Sequence, residues 1–242
     1  GRLVRAGLMV AAAVVLAAAV GCGGRAPGLD EGAVAATNRG VALMGRFDYA
    51  AALEVFAGLV AEHPDHPELL VNLAIATLNR QQEGDEEAAV ALADRALAAD
   101  PGHLRAHYVR GLATLYLGRT DEAYDAFSRV VAGDPDDADA AFFLGQCLMQ
   151  RDEVEEALAQ FERALARDPN LRSAAYRAFQ ALQRLGRRDE AMARLAEFKA
   201  LESNPQARLV EFKYTRMGEK GSVSTVDPEA GGEIRVRIGR FG

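Results

Sequence analysis

The sequence predicts an all-α protein, a solenoid of five helical hairpins with a short irregular or β-like tail at its C-terminus. Three observations lead there. The first is composition: half of the 242 residues are hydrophobic, most of them Ala, Leu and Val, and there is no Trp. Ala, Leu, Glu and Arg give up little side-chain freedom in a helix, so such a chain favours helices. The second is a recurring Ala, at Ala52, Ala89, Ala123, Ala157 and Ala191, spaced 34 residues apart save for a first interval of 37. The third is a Pro with the same spacing, at Pro64, Pro101, Pro135 and Pro169. A fixed period of this length marks stacked supersecondary units, each burying its apolar face only against its neighbours.

In chain order, residues 1–22 come first and read as a lipoprotein signal peptide. Arg2 and Arg5 make a basic start, and Ala6 to Val20 make an uncharged apolar run. The run is shorter than the roughly 20 residues that span a bilayer and fits a signal peptide. Ala18-Ala19-Val20-Gly21-Cys22 then resembles the bacterial lipobox. That resemblance implies lipidation of Cys22 and cleavage before it, which would place the protein in the cell envelope. Two or three acyl chains hold stably, at about 0.8 kcal/mol per buried CH₂. Gly23, where an Asp would favour the inner membrane, points to the outer one. An ordinary secretory signal and an uncleaved helical anchor are the alternatives for the same run. Residues 23–32, opening Gly23-Gly24-Arg25-Ala26-Pro27-Gly28, read as a flexible tether.

The repeats occupy 33–205, divided as 33–66, 67–103, 104–137, 138–171 and 172–205. A small residue recurs on the first helix of each hairpin, at Gly40, Ala74, Gly111 and Gly145, and lets the second helix approach closely. The recurring Ala of the second helix is expected to face it. A large apolar residue, Phe56, Phe127, Phe161 or Leu195, is expected to fill the space beneath the next repeat, with Ala93 at that place in the second. Phe179 breaks the small-residue rule in the fifth hairpin, and terminal repeats are commonly atypical. Asp100-Pro101, Asp134-Pro135, Asp168-Pro169 and His63-Pro64 end the second helices, because Pro cannot continue one. Turns such as Gly118-Arg119-Thr120-Asp121-Glu122 start them, with Thr120 as the expected cap. The extra residues of the second repeat fall in a turn, Asn79-Arg80-Gln81-Gln82-Glu83.

With this period and these residues, the stretch from Ala33 to Leu201 resembles the tetratricopeptide repeat family. The resemblance implies a right-handed superhelix whose first helices line a concave groove. It also implies ligand contacts from the second, fifth, ninth, twelfth and thirteenth positions of each repeat. Mapped here, the fifth positions are Thr37, Val71, Tyr108, Phe142 and Tyr176, and the ninth are Val41, Ile75, Leu112, Gln146 and Gln180. The twelfth are Met44, Leu78, Leu115, Met149 and Gln183, and the thirteenth add Asn79, Tyr116, Gln150 and Arg184. The Lys, Arg and Asn clamp of the chaperone-binding branch is absent, which excludes a C-terminal carboxylate as the ligand. Apolar and aromatic groups with nearby amides suit an amphipathic or extended apolar segment of a protein partner. The expected peptide-binding set is Val71, Ile75, Tyr108, Leu112, Tyr116, Phe142, Gln146, Met149, Tyr176 and Gln180. Burial of the same residues by neighbouring helices or by the tail is the competing reading.

Other chemistry finds little footing. The net charge of -7 repels phosphate backbones, so nucleic acid is not an expected partner. His103 and His107 stand four apart, but no further ligand completes a metal shell, and His63 and His66 merely flank Pro64. Cys147, inside a first helix, reads as a small buried hydrophobe. No phosphate loop, nucleophile elbow or Ser–His–Asp spacing is present, so neither enzymatic activity nor a cofactor is expected.

Residues 206–242 change character and read as a tail or the start of a further domain. Val210, Phe212 and Tyr214 alternate with charged residues, as do Ile234, Val236 and Ile238, and both stretches read as short strands. The stretch from Val210 to Gly218 resembles the segment that follows the repeats in secreted FG-GAP and ASPIC/UnbV-type proteins. The tail is long enough to fold back into the groove, but nothing in its sequence requires this, and an open groove is expected. The layout is similar to outer-membrane tetratricopeptide lipoproteins, including the pilotins of type IV pilus secretins. The expected function is that of a membrane-anchored adaptor for an envelope assembly. The alternative is the helical module of a larger secreted protein.

Overall fold

The computed structural model describes residues 28–225. They form ten α-helices and two short 3-10 turns, with no β-sheet among them. The helices are α1 (Glu31–Gly45), α2 (Tyr49–Glu62), α3 (Pro67–Arg80), α4 (Asp85–Ala99) and α5 (Leu104–Tyr116). They continue as α6 (Thr120–Gly133), α7 (Ala138–Gln150), α8 (Val154–Arg167), α9 (Arg172–Arg184) and α10 (Arg188–Ala200). Each odd helix pairs with the even helix after it, and each hairpin packs on the next, which makes a superhelical solenoid of five hairpins. In addition α3 touches α5 and α7 touches α9, so odd helices of neighbouring hairpins meet along the inner side. No described helix is long and apolar enough to cross a membrane.

Local chemistry sets the helix ends. Asp30, Asp48 and Asp137 accept hydrogen bonds from the backbone N–H three residues on, and His103 Nδ1 does the same for Ala106 at 3.1 Å. The Asp-Pro and His-Pro pairs end α2, α4, α6 and α8, with His63, Asp100, Asp134 and Asp168 as C-caps. Three details differ from the sequence expectation. Asp30 starts α1 at Glu31, inside the stretch read as tether, because its carboxylate satisfies the free N–H of Ala33. Thr120 is the first residue of α6, not its cap, and its hydroxyl donates to Gln150 Oε1 at 2.6 Å. Asn79 and Arg80 belong to α3, which leaves the insertion as Gln81–Gly84.

The turn from odd to even helix uses a left-handed residue in every hairpin, and the longer α3–α4 turn adds a second, Gly84, with φ of 86°. The first in each hairpin is Phe47, Gln81, Gly118, Asp152 and Gly186 in turn, with φ of 61°, 57°, 72°, 66° and 70°. Two of the five are Gly, for which this conformation is free of strain.

The core follows the repeat register with one correction. The recurring Ala residues are all buried, as expected. The small residue, however, faces the aromatic ring sixteen positions on in its own hairpin. A Cβ added at Gly40, Gly111 or Gly145 would stand 2.7, 2.8 or 2.5 Å from Phe56, Phe127 or Phe161. The ring therefore also fills its own hairpin, because a helix face without Cβ leaves room for a flat side chain, while Phe127 stacks on Phe143 of the next repeat at 5.3 Å as expected.

The segment from Asn204 onward was expected to hold a strand at Val210–Tyr214, and it does not. One isolated parallel bridge joins Leu171 to Arg208, and Tyr214–Arg216 forms a 3-10 turn. The alternation of Val210, Phe212 and Tyr214 comes instead from side chains reaching separate helices. The second expected strand, at Ile234–Ile238, lies outside the described residues, as do Cys22 and the signal-like segment.

Candidate functional site

The C-terminal segment crosses the inner layer of odd helices and covers its centre. It leaves α10 through a turn in which Ala207 N–H donates to Asn204 O at 3.0 Å. Arg208 then lies 2.7 Å from Asp139 and 2.5 Å from Asp168. The Ser173 hydroxyl on α9 both accepts from Val210 N–H, at 3.0 Å, and contacts Val210 O, at 3.2 Å. Phe212 meets Tyr116 and Phe143 edge-on or tilted, with centroids 5.5 and 5.7 Å apart. Tyr214 packs on Tyr49 at 5.9 Å. Tyr108, fully buried, donates to Met217 O at 2.6 Å. Lys220 Nζ bridges Asp134 and Asp137 at 2.5 and 2.8 Å.

The segment's described end enters a buried polar cluster on α3 and α5. Asn72 bonds both the N–H and the C=O of Ser224, at 2.9 and 3.0 Å. Arg105 reaches Ser222 O at 2.6 Å and Ser224 Oγ at 2.8 Å, and forms an ion pair with Glu68. His103 Nε2 lies 2.9 Å from the other oxygen of Glu68. Burial opposes ionisation of Glu68, but Arg105, His103 and Ser224 outweigh it and hold its pKa at about 2. Burial pushes the Asp139 carboxyl up, against the pull of Arg208. Ser224, Glu68 and His103 are adjacent, yet the hydroxyl contacts the carboxylate at 3.2 Å, and the carboxylate stands between it and the imidazole. A nucleophile needs the imidazole itself as its base, and Ser224 is fully buried, so the cluster is a tether and not a catalytic triad.

The expected peptide-binding residues divide into three groups. Val71, Ile75, Tyr108, Leu112 and Phe142 are buried in the core, so the open groove expected over them is not present. Direct packing of α3 on α5 covers the aliphatic residues, and the C-terminal segment covers Tyr108. Gln146, Met149 and Gln180 are half-buried. Tyr116 and Tyr176 are 59% and 41% exposed. Both border the ring of Phe212 or the cleft of about 490 Å³ that it closes with Phe142, Gln146, Arg177 and Phe198.

Sequence reasoning missed the residues that hold the segment. Glu68, Arg105, Asp139 and Ser173 all occupy the second position of their repeats, and Asn72 the sixth of its own. The second position is among those the family resemblance names, so mapping it would have found four of the five.

His103, His107 and Cys147 have structural employment. His103 caps α5 and bonds Glu68, and His107 Nε2 bonds Pro101 O at 3.0 Å. Among the described residues no three His, Cys, Asp or Glu cluster as metal ligands would. Cys147 is buried, which raises its pKa to about 12 and keeps the thiol protonated.

Hairpins stacked in one direction, with an inner side that holds an extended segment, define an α-solenoid. The tetratricopeptide repeat family model matches residues 37–103, 79–135 and 108–171, more than half of the chain, and the chain belongs to that family. Among solved structures it is similar to MamA 41-end from Desulfovibrio magneticus RS-1, at 23% identity and a TM-score of 0.65, over 73% of this chain and 98% of that one. The MamA RS-1 ArsTM double mutant is similar at 24% identity and a TM-score of 0.65, over 72% and 96%. A further MamA crystal structure gives 22% and 0.61, over 67% and 94%. These likenesses concern the fold. No curated protein matches the chain.

Proposed function

We propose that this protein is a membrane-anchored adaptor that holds a partner polypeptide on its concave side during assembly of a bacterial cell-envelope complex. One observation carries the binding part. Tyr176, a large aromatic side chain left exposed, lines the cleft closed by Phe212, and the exposed Tyr116 packs against that same Phe212 ring. Arg177 stands in that cleft, bonded to Gln180 at 2.9 Å and in no ion pair among the described residues. An aromatic wall beside an unneutralised cation suits an apolar side chain with a carboxylate next to it. The anchor rests on the residue pattern ending in Gly21-Cys22.

Crosslinking from isolated membranes tests both parts. Tyr176→Ala and Arg177→Glu should each weaken capture of the partner, by about 2 kcal/mol for the aromatic truncation, with melting nearly unchanged. Capture that survives both moves the site away from this cleft. Cys22→Ser should release the protein from the membrane or leave an uncleaved precursor. Mature wild-type protein in the soluble fraction with an unmodified Cys22 would remove the anchor from the proposal.

A further inference from the structure

The segment over the inner layer differs from the hairpin core in three ways. It has no regular secondary structure apart from one 3-10 turn. Many of its contacts are charged or to backbone: Lys220 with Asp134 and Asp137, Arg208 with Asp139 and Asp168, Asn72 with Ser224. It also has a cavity on either side, while its Val210, Tyr214, Met217 and Val223 are buried against the helices. A cavity of about 590 Å³, lined by Asp139 of α7 and otherwise by residues of the segment such as Arg208, Thr215, Arg216 and Ser222, lies on one side, and the aromatic cleft borders the other. Protein cores are close-packed, whereas recognition interfaces are polar and imperfectly filled.

Charge complements this picture. In a chain of net charge -7, residues 206–225 carry Arg208, Lys213, Arg216 and Lys220 against Glu211 and Glu219. The seat beneath them presents aspartates at the α6–α7 and α8–α9 turns and at the start of α7.

We infer that residues 206–225 are a tethered ligand, and that their seat on repeats two to four is a receptor for an extended basic segment of a partner protein, which displaces them. The partner segment presents one cation to Asp134 and Asp137 and a second to Asp139 and Asp168. Its backbone N–H and C=O replace those of Ser224 on Asn72. The occupant in cis has a short tether, pinned where Asn204 Nδ2 donates to Asn170 Oδ1 at 2.9 Å. Such a tether gives it an effective concentration on the order of mM. Free peptide therefore binds weakly, and a partner engages when it binds more tightly or when the tail is loosened. This inference is independent of the aromatic cleft, since it uses different residues and a basic rather than an acidic partner.

The test uses the full chain and a fluorescent peptide of residues 206–225. In anisotropy titrations the Arg208→Glu, Lys220→Glu double variant should bind the peptide at least tenfold more tightly than wild type, because its own tail competes less. Added salt should weaken that binding, and a peptide carrying the same two Glu should not bind. A second form avoids reliance on the variant's folding. A protease site inserted at Pro205 lets the folded wild-type chain be nicked there, and excess labelled peptide should then exchange into the seat and release the nicked tail. A nicked chain that remains folded and refuses exchange over a day would overturn the inference, since the segment would then be a permanent part of the fold. Concentration-dependent dimers with exchanged tails would also overturn it, in favour of self-assembly.

Discussion

Asn72 holds the backbone of Ser224 across 152 residues of sequence, its Nδ2 donating to the carbonyl at 3.0 Å and its Oδ1 accepting from the N–H at 2.9 Å. An amide carries a donor and an acceptor side by side, so it can satisfy both backbone groups of an extended residue at once. Asn72→Ala should leave both groups of Ser224 without these partners, at about 1–3 kcal/mol. Hydrogen exchange should accelerate at 222–225 while the helices remain protected. Unchanged exchange at Ser224 would mean that the pair does not secure the segment.

Tyr108 and Tyr176 occupy the same position in different repeats but should respond oppositely to truncation. Tyr108 is buried beneath Met217, with its ring edge-on to Phe127 and Phe143. Tyr108→Ala should cost roughly 3–5 kcal/mol of stability. Tyr176 is exposed, and Tyr176→Ala should shift the denaturation midpoint little. Equal melts for the two variants would contradict the fifth-position burial described above.

The contact of Gly145 with Phe161 tests the repeat register. Gly145→Leu should overpack α7 against α8 and cost about 1–3 kcal/mol or more. Gly58, on an exposed face of α2, has nothing within 4 Å of an added Cβ. Gly58→Ala should therefore stabilise by about 0.5–1 kcal/mol. Thermal melts of the two variants should move in opposite directions.

Gln81 carries a left-handed backbone, with φ of 57°, where the equivalent residues of two other hairpins are Gly118 and Gly186. Gln81→Gly removes a Cβ clash worth roughly 1–2 kcal/mol, offset in part by the greater freedom of Gly in the unfolded chain. A small rise in the urea midpoint is expected. A fall would show that the Gln81 side chain contributes more than its backbone strain costs.

Glu68 makes the seat of the tail sensitive to acid. Its folded pKa, about 2, lies below the ordinary value of 4.5, so its contribution to stability is complete above 4.5. That contribution is lost as pH falls through 4.5 towards 2. Asp139 has the opposite sign, since its raised pKa means that protonation relieves a burial penalty as pH falls. Urea midpoints measured down through this range should fall for wild type and fall less steeply for Glu68→Gln. Parallel slopes would show that the Glu68–Arg105 pair is not what acid disrupts.

The sequence by itself determined the hairpins. The recurring Ala residues, the small residues of the odd helices and the Asp-Pro stops act within one repeat or on its neighbour, so a period read along the chain carries them, although which ring each small residue faces came from the structure. It also carried part of the turn chemistry, since Gly118 and Gly186 announce a left-handed residue that Phe47, Gln81 and Asp152 conceal. Only the tertiary structure decided what the concave face does. Val71, Ile75 and Leu112 look like groove residues in one dimension and are core in three, because α3 packs on α5. The tail's place rests on pairs such as Asn72 with Ser224 and Lys220 with Asp137, which are single polar contacts at long sequence separation. Their partners lie in a segment outside the repeat period, and their worth depends on burial, which exists only once the solenoid has formed around them.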